Sequence, residues 1–189
     1  MKVKILVDSC SYFRLAQNIH PLLKTPFCEE KHVLGVITDL NSEYNRNPAL
    51  RNKFYWVKER EYTENRKSCF RLSPGQKNDI HNSFFFLRDT ARDLSYGVSR
   101  VDLNALSYAY VLNISVVTDD DDMLLLAKEY EIETLTSLEL LKVLYECQFI
   151  TIEKVRAIAS SWIYLKDIPK SFKTSFKKLF NEAAPDLLF

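Results

Sequence analysis

The stretch Ile114-Ser115-Val116-Val117-Thr118-Asp119-Asp120-Asp121-Asp122-Met123-Leu124-Leu125-Leu126-Ala127-Lys128 decides the reading of this chain. Its first five residues form a short β-prone run of the kind that is buried in a parallel sheet. Its last six have the composition of a helix. Four consecutive aspartates stand between them, so a strand passes into a helix through a cluster of carboxylates. In open α/β proteins that boundary, at the carboxyl ends of the strands, is where ligands bind. Adjacent carboxylates repel one another, and a cation, protons or water relieve the repulsion. An all-oxygen set suits Mg2+ or Mn2+. The same residues would also make a solvated helix start, because Asp caps helix N-termini and complements the helix dipole.

A second strand of this kind opens the chain. Val3-Lys4-Ile5-Leu6-Val7 stops at Asp8-Ser9. Alone, Asp8 reads equally as a turn or cap residue. Two strand-then-Asp units in one parallel sheet, however, would bring both carboxylates out at the same edge. A third acid lies upstream of the 114–118 strand. Residues 99–112 read as a helix, with Ser99 and Asp102 at the Ser-x-x-acid spacing of a helix start. Asp102 either caps that helix or points from its first turn into the same cleft.

Around these units strands and helices alternate. Helices are expected from Ser9 to about Ile19, and over 31–45, 48–58, 77–94, 121–129 and 137–146, with a strand at 132–135 and an irregular segment at 60–75. Alternation of this kind predicts an α/β fold, a central parallel sheet flanked by helices. Beyond Cys147 the pattern is helical only, over 151–165 and 170–181 around Pro169. Phe172, Phe176, Leu179 and Phe180 recur there at helical spacing, a face that would dock on the domain or meet a partner.

The quoted residues resemble those of the PIN-domain nucleases: Val7-Asp8-Ser9, then Ser-Arg-Val-Asp-Leu-Asn-Ala-Leu-Ser-Tyr-Ala at 99–109, then Val-Val-Thr-Asp-Asp-Asp-Asp-Met at 116–123. Residues 132–141 look like the last strand and helix of that fold. The resemblance spans 1–146, taken as a PIN-like three-layer nuclease domain, with 147–189 a helical carboxy-terminal extension packed on it. It implies a metal-dependent ribonuclease in which Asp8, Glu43, Asp102 and Asp120 are catalytic and hold Mg2+ or Mn2+, with Asp122 a further metal ligand. Ser9, Ser99 and Thr118 would orient those ligands. Glu43 is preferred over Asp39 as the early-helix acid. Met123 stands where the family commonly has Phe. The resemblance further implies an RNA substrate, and it leaves an antitoxin, another regulatory protein or a second copy of the chain as candidate partners.

Two other readings stay open. PIN-like folds can lose metal affinity and persist as nucleic-acid or protein binding modules. A phosphatase-like enzyme would use Asp8 as nucleophile, although such enzymes commonly carry a second Asp where Cys10 stands.

Composition adds bounds. The 189 residues, 47% of them hydrophobic, suffice for one domain with an appendage. A net charge of +1 gives no global field for nucleic acid. Locally, 51–71 holds seven Lys or Arg against three Glu. Phe54, Tyr55, Trp56, Tyr62 and Phe70 are interleaved, so a strand of RNA could track the charges and stack on the rings. No run has the length of a membrane span, and no Gly-rich phosphate loop is present. Cys10, Cys28, Cys69 and Cys147 are scattered without a Cys-x-x-Cys pair, which predicts free thiols, no zinc and a cytoplasmic setting. His20, His32 and His81 read as structural or surface residues.

Overall fold

The two apolar runs that end in aspartates lie side by side. In the computed structural model, which describes residues 5–186, β1 (Ile5–Val7) pairs in parallel with β3 (Ser115–Val117), with Ile5 opposite Ser115 and Val7 opposite Val117. Val3 and Lys4, the start of the first predicted strand, lie outside the described residues. β2 (Leu34–Gly35) adds to the free side of β1 and β4 (Thr134–Leu135) to that of β3. The result is a four-stranded, all-parallel sheet of order β2-β1-β3-β4. Side chains alternate across a pleated strand, and here the alternation divides the core in two. Ile5, Val7 and Val117 face one hydrophobic cluster, while Leu6 and Val116 face the other. Helices cover both faces, as an all-parallel sheet requires.

The second cluster is completed by α5 (Pro74–Asp93), α6 (Arg100–Leu112) and α7 (Asp121–Glu129), through Leu87, Leu106, Met123 and Leu126. The first contains Phe13 and Leu15 of α1 (Ser9–Ala16) and Leu140 and Leu144 of α8 (Ser137–Glu146). It also contains Val155, Ile158 and Trp162 of α9 (Ile152–Tyr164) and Phe172 and Phe176 of α10 (Phe172–Phe180). The carboxy-terminal helices thus supply part of a core shared with β1. Trp162 reinforces this by donating its indole N–H to the Arg14 carbonyl at 3.0 Å.

The bounds of α7 and α8 coincide with the sequence expectation, and local chemistry explains why. Asp120 caps α7, and Thr136 with Glu139 forms a reciprocal capping box on α8. Elsewhere the structure departs from it. The first half of the helix expected over 31–45 is not helical and holds the two-residue strand β2: Val33, Leu34, Val36 and Ile37 are all buried, an apolar run that suits the inside of a sheet better than a half-exposed helix. Only α2 (Asp39–Arg46) is helical there. The helix expected over 48–58 stops as α3 (Pro48–Lys53), followed by a 3-10 turn at Tyr55–Lys58.

The segment expected to be irregular contains α4 (Arg60–Arg66). Its anchor is the buried Arg66 guanidinium, which donates to the Tyr12 hydroxyl at 3.1 Å, the Val57 carbonyl at 2.9 Å and Asn41 Oδ1 at 3.2 Å. Phe54, Trp56 and Tyr62 are core residues. Of the rings proposed to stack on RNA, Tyr55 is the one that is well exposed.

The expectation of four free thiols is corrected for two of them. Cys28 and Cys147 form a disulfide across 119 residues, their Cα atoms 4.9 Å apart, whereas Cys10 and Cys69 are thiols. Spacing could not show this, because the turn after Phe27 and the end of α8 meet only in the folded chain. Among the described residues no helix is long and apolar enough to cross a membrane.

Candidate functional site

Register builds the site. Because Val7 lies opposite Val117, the next residues, Asp8 and Thr118, leave the sheet together at its carboxyl edge. Asp8 is only 4% exposed and both its oxygens are engaged. Oδ1 caps α1 by accepting from the Ser11 N–H at 2.6 Å, and Oδ2 accepts from the Thr118 hydroxyl at 2.8 Å. Thr118 Oγ1 in turn accepts from the Asp120 N–H at 3.2 Å. One buried hydroxyl therefore ties the two strand-end aspartates together. Asp120 Oδ1 caps α7 by accepting from the Met123 N–H at 2.8 Å, and the residue faces solvent.

Asp102 and Glu43 reach this edge from α6 and α2. Ser99 caps α6, accepting from the Asp102 N–H at 3.2 Å. Burial raises Asp102 above the ordinary carboxylate range; the Ser99 hydroxyl opposes the shift and the nearby charge of Asp120 adds to it. Burial likewise raises Glu43, with Asp102 adding to the effect. Glu43 Oε2 and Ser9 Oγ are both buried without a hydrogen-bond partner in the protein. Ser9 thus favours the Glu43 carboxylate by proximity rather than by a formed bond. Burial pushes Asp8 up to about 7, against its hydrogen bonds and helped by Asp102. Asp102 is the hub of this repulsion, since it acts on Asp8 and Glu43 and is acted on by Asp120.

Cys10 lies beside the same acids. Although exposed, its thiol is pushed up to about 12, first by desolvation and then by Asp8, Glu43 and Asp102.

The remaining acids have other partners. Asp39 accepts from the Asn104 side chain at 2.9 Å. Asp119 accepts from the Ser137 N–H at 2.9 Å and its hydroxyl at 2.5 Å, and pairs with Arg14. Asp121 pairs with Lys170 in solvent. Asp122 accepts from the Gly97 N–H at 2.7 Å, and a Cβ on Gly97 would stand 3.0 Å from that oxygen. Through that oxygen Asp122 secures the connector leading to Ser99. Two residues at this edge escaped the sequence reading. Arg14 carried no signal in its local pattern. Lys170, whose ammonium is raised by Asp121 and then by Asp120 and Asp122, lies 49 positions from Asp121 in sequence.

Thr118 thus links Asp8 to Asp120, Asp102 bears on the charges of Asp8 and Glu43, and among the described residues none of the four forms an ion pair. The set is open. The trio of His, Cys, Asp or Glu whose ligand atoms all lie within 4.8 Å of one another is instead Cys28, Glu30 and His32.

The Asp8 environment has a consequence for stability. Its carboxyl is protonated in the fold but ionised in the unfolded chain between the ordinary 3.8 and about 7. The unfolded state therefore binds fewer protons, and stability falls as pH rises through that window. At pH 8 the buried charge costs up to about 4 kcal/mol. Asp8→Asn keeps the cap on Ser11 and removes the charge. In cation-free protein it should raise the melting temperature at pH 8 and bring little or no gain at pH 4. Thermal melts of both proteins at the two pH values would show this, and an equal gain at both would refute the buried-charge explanation.

No protein-family model, no curated protein and no solved structure matches this chain.

Proposed function

We propose that the chain is a PIN-type nuclease that hydrolyses phosphodiester bonds, most naturally in RNA, with the help of Mg2+ or Mn2+. The observation that supports the reading is the set of acids around Asp102 at the carboxyl edge of a parallel sheet: Asp102 raises Asp8 and Glu43, Asp120 raises Asp102, and no cationic side chain is paired to any of the four. The donor set fits a hard divalent cation: every donor is a carboxylate oxygen, and Glu43 Oε2 is buried with no protein partner. When bound, such a cation supplies Lewis acidity toward water and the scissile phosphate.

The chain's own residues do the positioning. Thr118 holds Asp8 and Asp120 in fixed relation, Ser99 orients Asp102, and Asp122 fixes the Gly97 connector. Lys170, 81% exposed at its side chain and paired with Asp121, places a positive charge at the rim where a phosphate backbone would arrive. The acids are also disposed against the alternatives that need a protein nucleophile. Each Asp8 oxygen already accepts a hydrogen bond, which lowers its nucleophilicity toward phosphate while leaving each oxygen a lone pair for a cation. Cys10, held as a thiol, is a poor nucleophile.

A regulatory protein such as an antitoxin, or a second copy of the chain, belongs to the same proposal, as does a cytoplasmic setting. The non-catalytic reading draws on one specific observation, that no three of these acids bring oxygens within 4.8 Å of one another. Cleavage of single-stranded or loop-containing RNA by the purified chain, with Mg2+ or Mn2+ and then with a chelator, separates the two. Nuclease activity that chelation abolishes is expected. RNA binding without cleavage at any metal concentration would favour the binding module.

A further inference from the structure

The corner between the turn after Phe27 and the end of α8 gathers thiophilic ligands far from the four acids. Phe27 and His32 pair antiparallel, with N–H···O distances of 3.0 and 2.9 Å, and the chain reverses between them. Cys28 and Lys31 adopt φ of 58° and 52° to make that reversal. Residues 28, 30 and 32 are thereby brought together, with ligand atoms of Cys28, Glu30 and His32 all within 4.8 Å of one another. His32 Nε2 lies 3.6 Å from Glu30 Oε2, and His32 Nδ1 is buried without a hydrogen-bond partner in the protein. Cys147, the residue that ends α8, completes the corner as the disulfide partner of Cys28. Glu29 and Glu146 line the same groove and add negative charge.

We propose that, when the Cys28–Cys147 disulfide is reduced, Cys28, Cys147, His32 and Glu30 form a binding site for one thiophilic divalent cation, Zn2+ by its ligand chemistry. Two sulfurs, an imidazole nitrogen and a carboxylate oxygen are the donors that tetrahedral zinc takes, with sulfurs about 2.3 Å from the metal. In the disulfide neither sulfur has a thiolate to give, so the site is closed.

Opening needs two electrons. A dithiol reductant transfers them with two protons: the S–S bond breaks, Cys28 and Cys147 become thiols, and the reductant becomes a disulfide. Zinc uptake then releases one proton from each thiol to solvent, while His32 binds as the neutral imidazole. Cys28 and Cys147, 119 positions apart in sequence, are linked in either state, by a covalent bond when oxidised and by the metal when reduced.

The test uses the full chain carrying Cys10→Ser and Cys69→Ser, so that only the paired cysteines report. Co2+ is titrated as a spectroscopic stand-in, followed by competition with Zn2+, on oxidised and on anaerobically reduced protein. The reduced chain should show thiolate-to-cobalt charge transfer that one equivalent of Zn2+ bleaches, and zinc should protect both thiols from alkylation. The oxidised chain should show no such band. His32→Ala, which alters a partly exposed side chain, should weaken zinc binding more than about tenfold. Absence of the band in reduced protein would overturn the proposal. So would a His32→Ala variant that binds zinc as tightly as its parent, since that would leave only a bare dithiol. Carboxylates alone give no thiolate band, so binding of cobalt at the four acids is read separately, and either result stands without the other.

Discussion

Asp120→Asn is expected to lower metal-dependent RNA cleavage by at least about a hundredfold while leaving the fold intact. The magnitude is that of removing one element of charge stabilisation from a preorganised site, on the order of 10²–10³ in rate. The fold should survive because the residue's structural task is to cap α7 through Oδ1, and Asn caps as well as Asp. Removing one charge also relieves the repulsion on Asp102, so the metal-free variant should melt no lower than the wild type. Asp121→Asn is the matched control. It changes the adjacent carboxylate of the same run, but that side chain faces Lys170 in solvent, and cleavage should stay within a few-fold of wild type. Rates and melts for both variants check this. Equal losses at the two positions would mean that the bulk charge of the run matters, not a site built on Asp120.

The largest stability effect is expected at Arg14. Its guanidinium and the Asp119 carboxylate are paired with side chains only 10% and 9% exposed. It also donates to the Asp167 carbonyl at 3.1 Å and pairs with the Asp167 carboxylate at 3.3 Å. Arg14→Ala would leave Asp119 buried with only Ser137 to satisfy it, and stranding a buried charge in this way costs about 3–5 kcal/mol. For a chain of this size that lowers the melting temperature by roughly 10 °C or more. Arg14→Lys should recover only part of the loss, because one ammonium cannot reproduce the guanidinium fork that spans Asp119 and Asp167. Adding Asp119→Asn to Arg14→Ala should restore stability by removing the stranded charge. Chemical denaturation of the four proteins measures each step. A double variant less stable than Arg14→Ala alone would show that the charge was not the source of the cost.

What the sequence made legible was whatever local chemistry determines. The strand-to-acid boundaries at Asp8 and Asp120, the Ser99 cap and the bounds of α7 and α8 follow from capping and from short apolar runs. Pairings between distant segments were hidden. The four aspartates look equivalent in the sequence, yet register and neighbours separate them: Asp119 turns to Arg14 and Ser137, Asp121 to Lys170 and Asp122 to Gly97. Asp120 is the one tied through Thr118 to Asp8. β2 was missed because a two-residue strand in a buried apolar run looks like the inner face of a helix. The rings of 51–71 were ambiguous for a similar reason. Phe54, Trp56 and Tyr62 close the core around Tyr12 and Phe13, and nothing local distinguishes a packed ring from a stacking platform.

The most direct test of the account is where a divalent cation binds. Crystals of the full chain soaked in Mn2+ would report this through anomalous difference density. A peak bounded by Asp8, Asp102 and Asp120 is expected, with Glu43 reaching the ion directly or through water. Density confined to the Cys28–His32 corner, or no density while the four carboxylates are ordered and ionised, would contradict it.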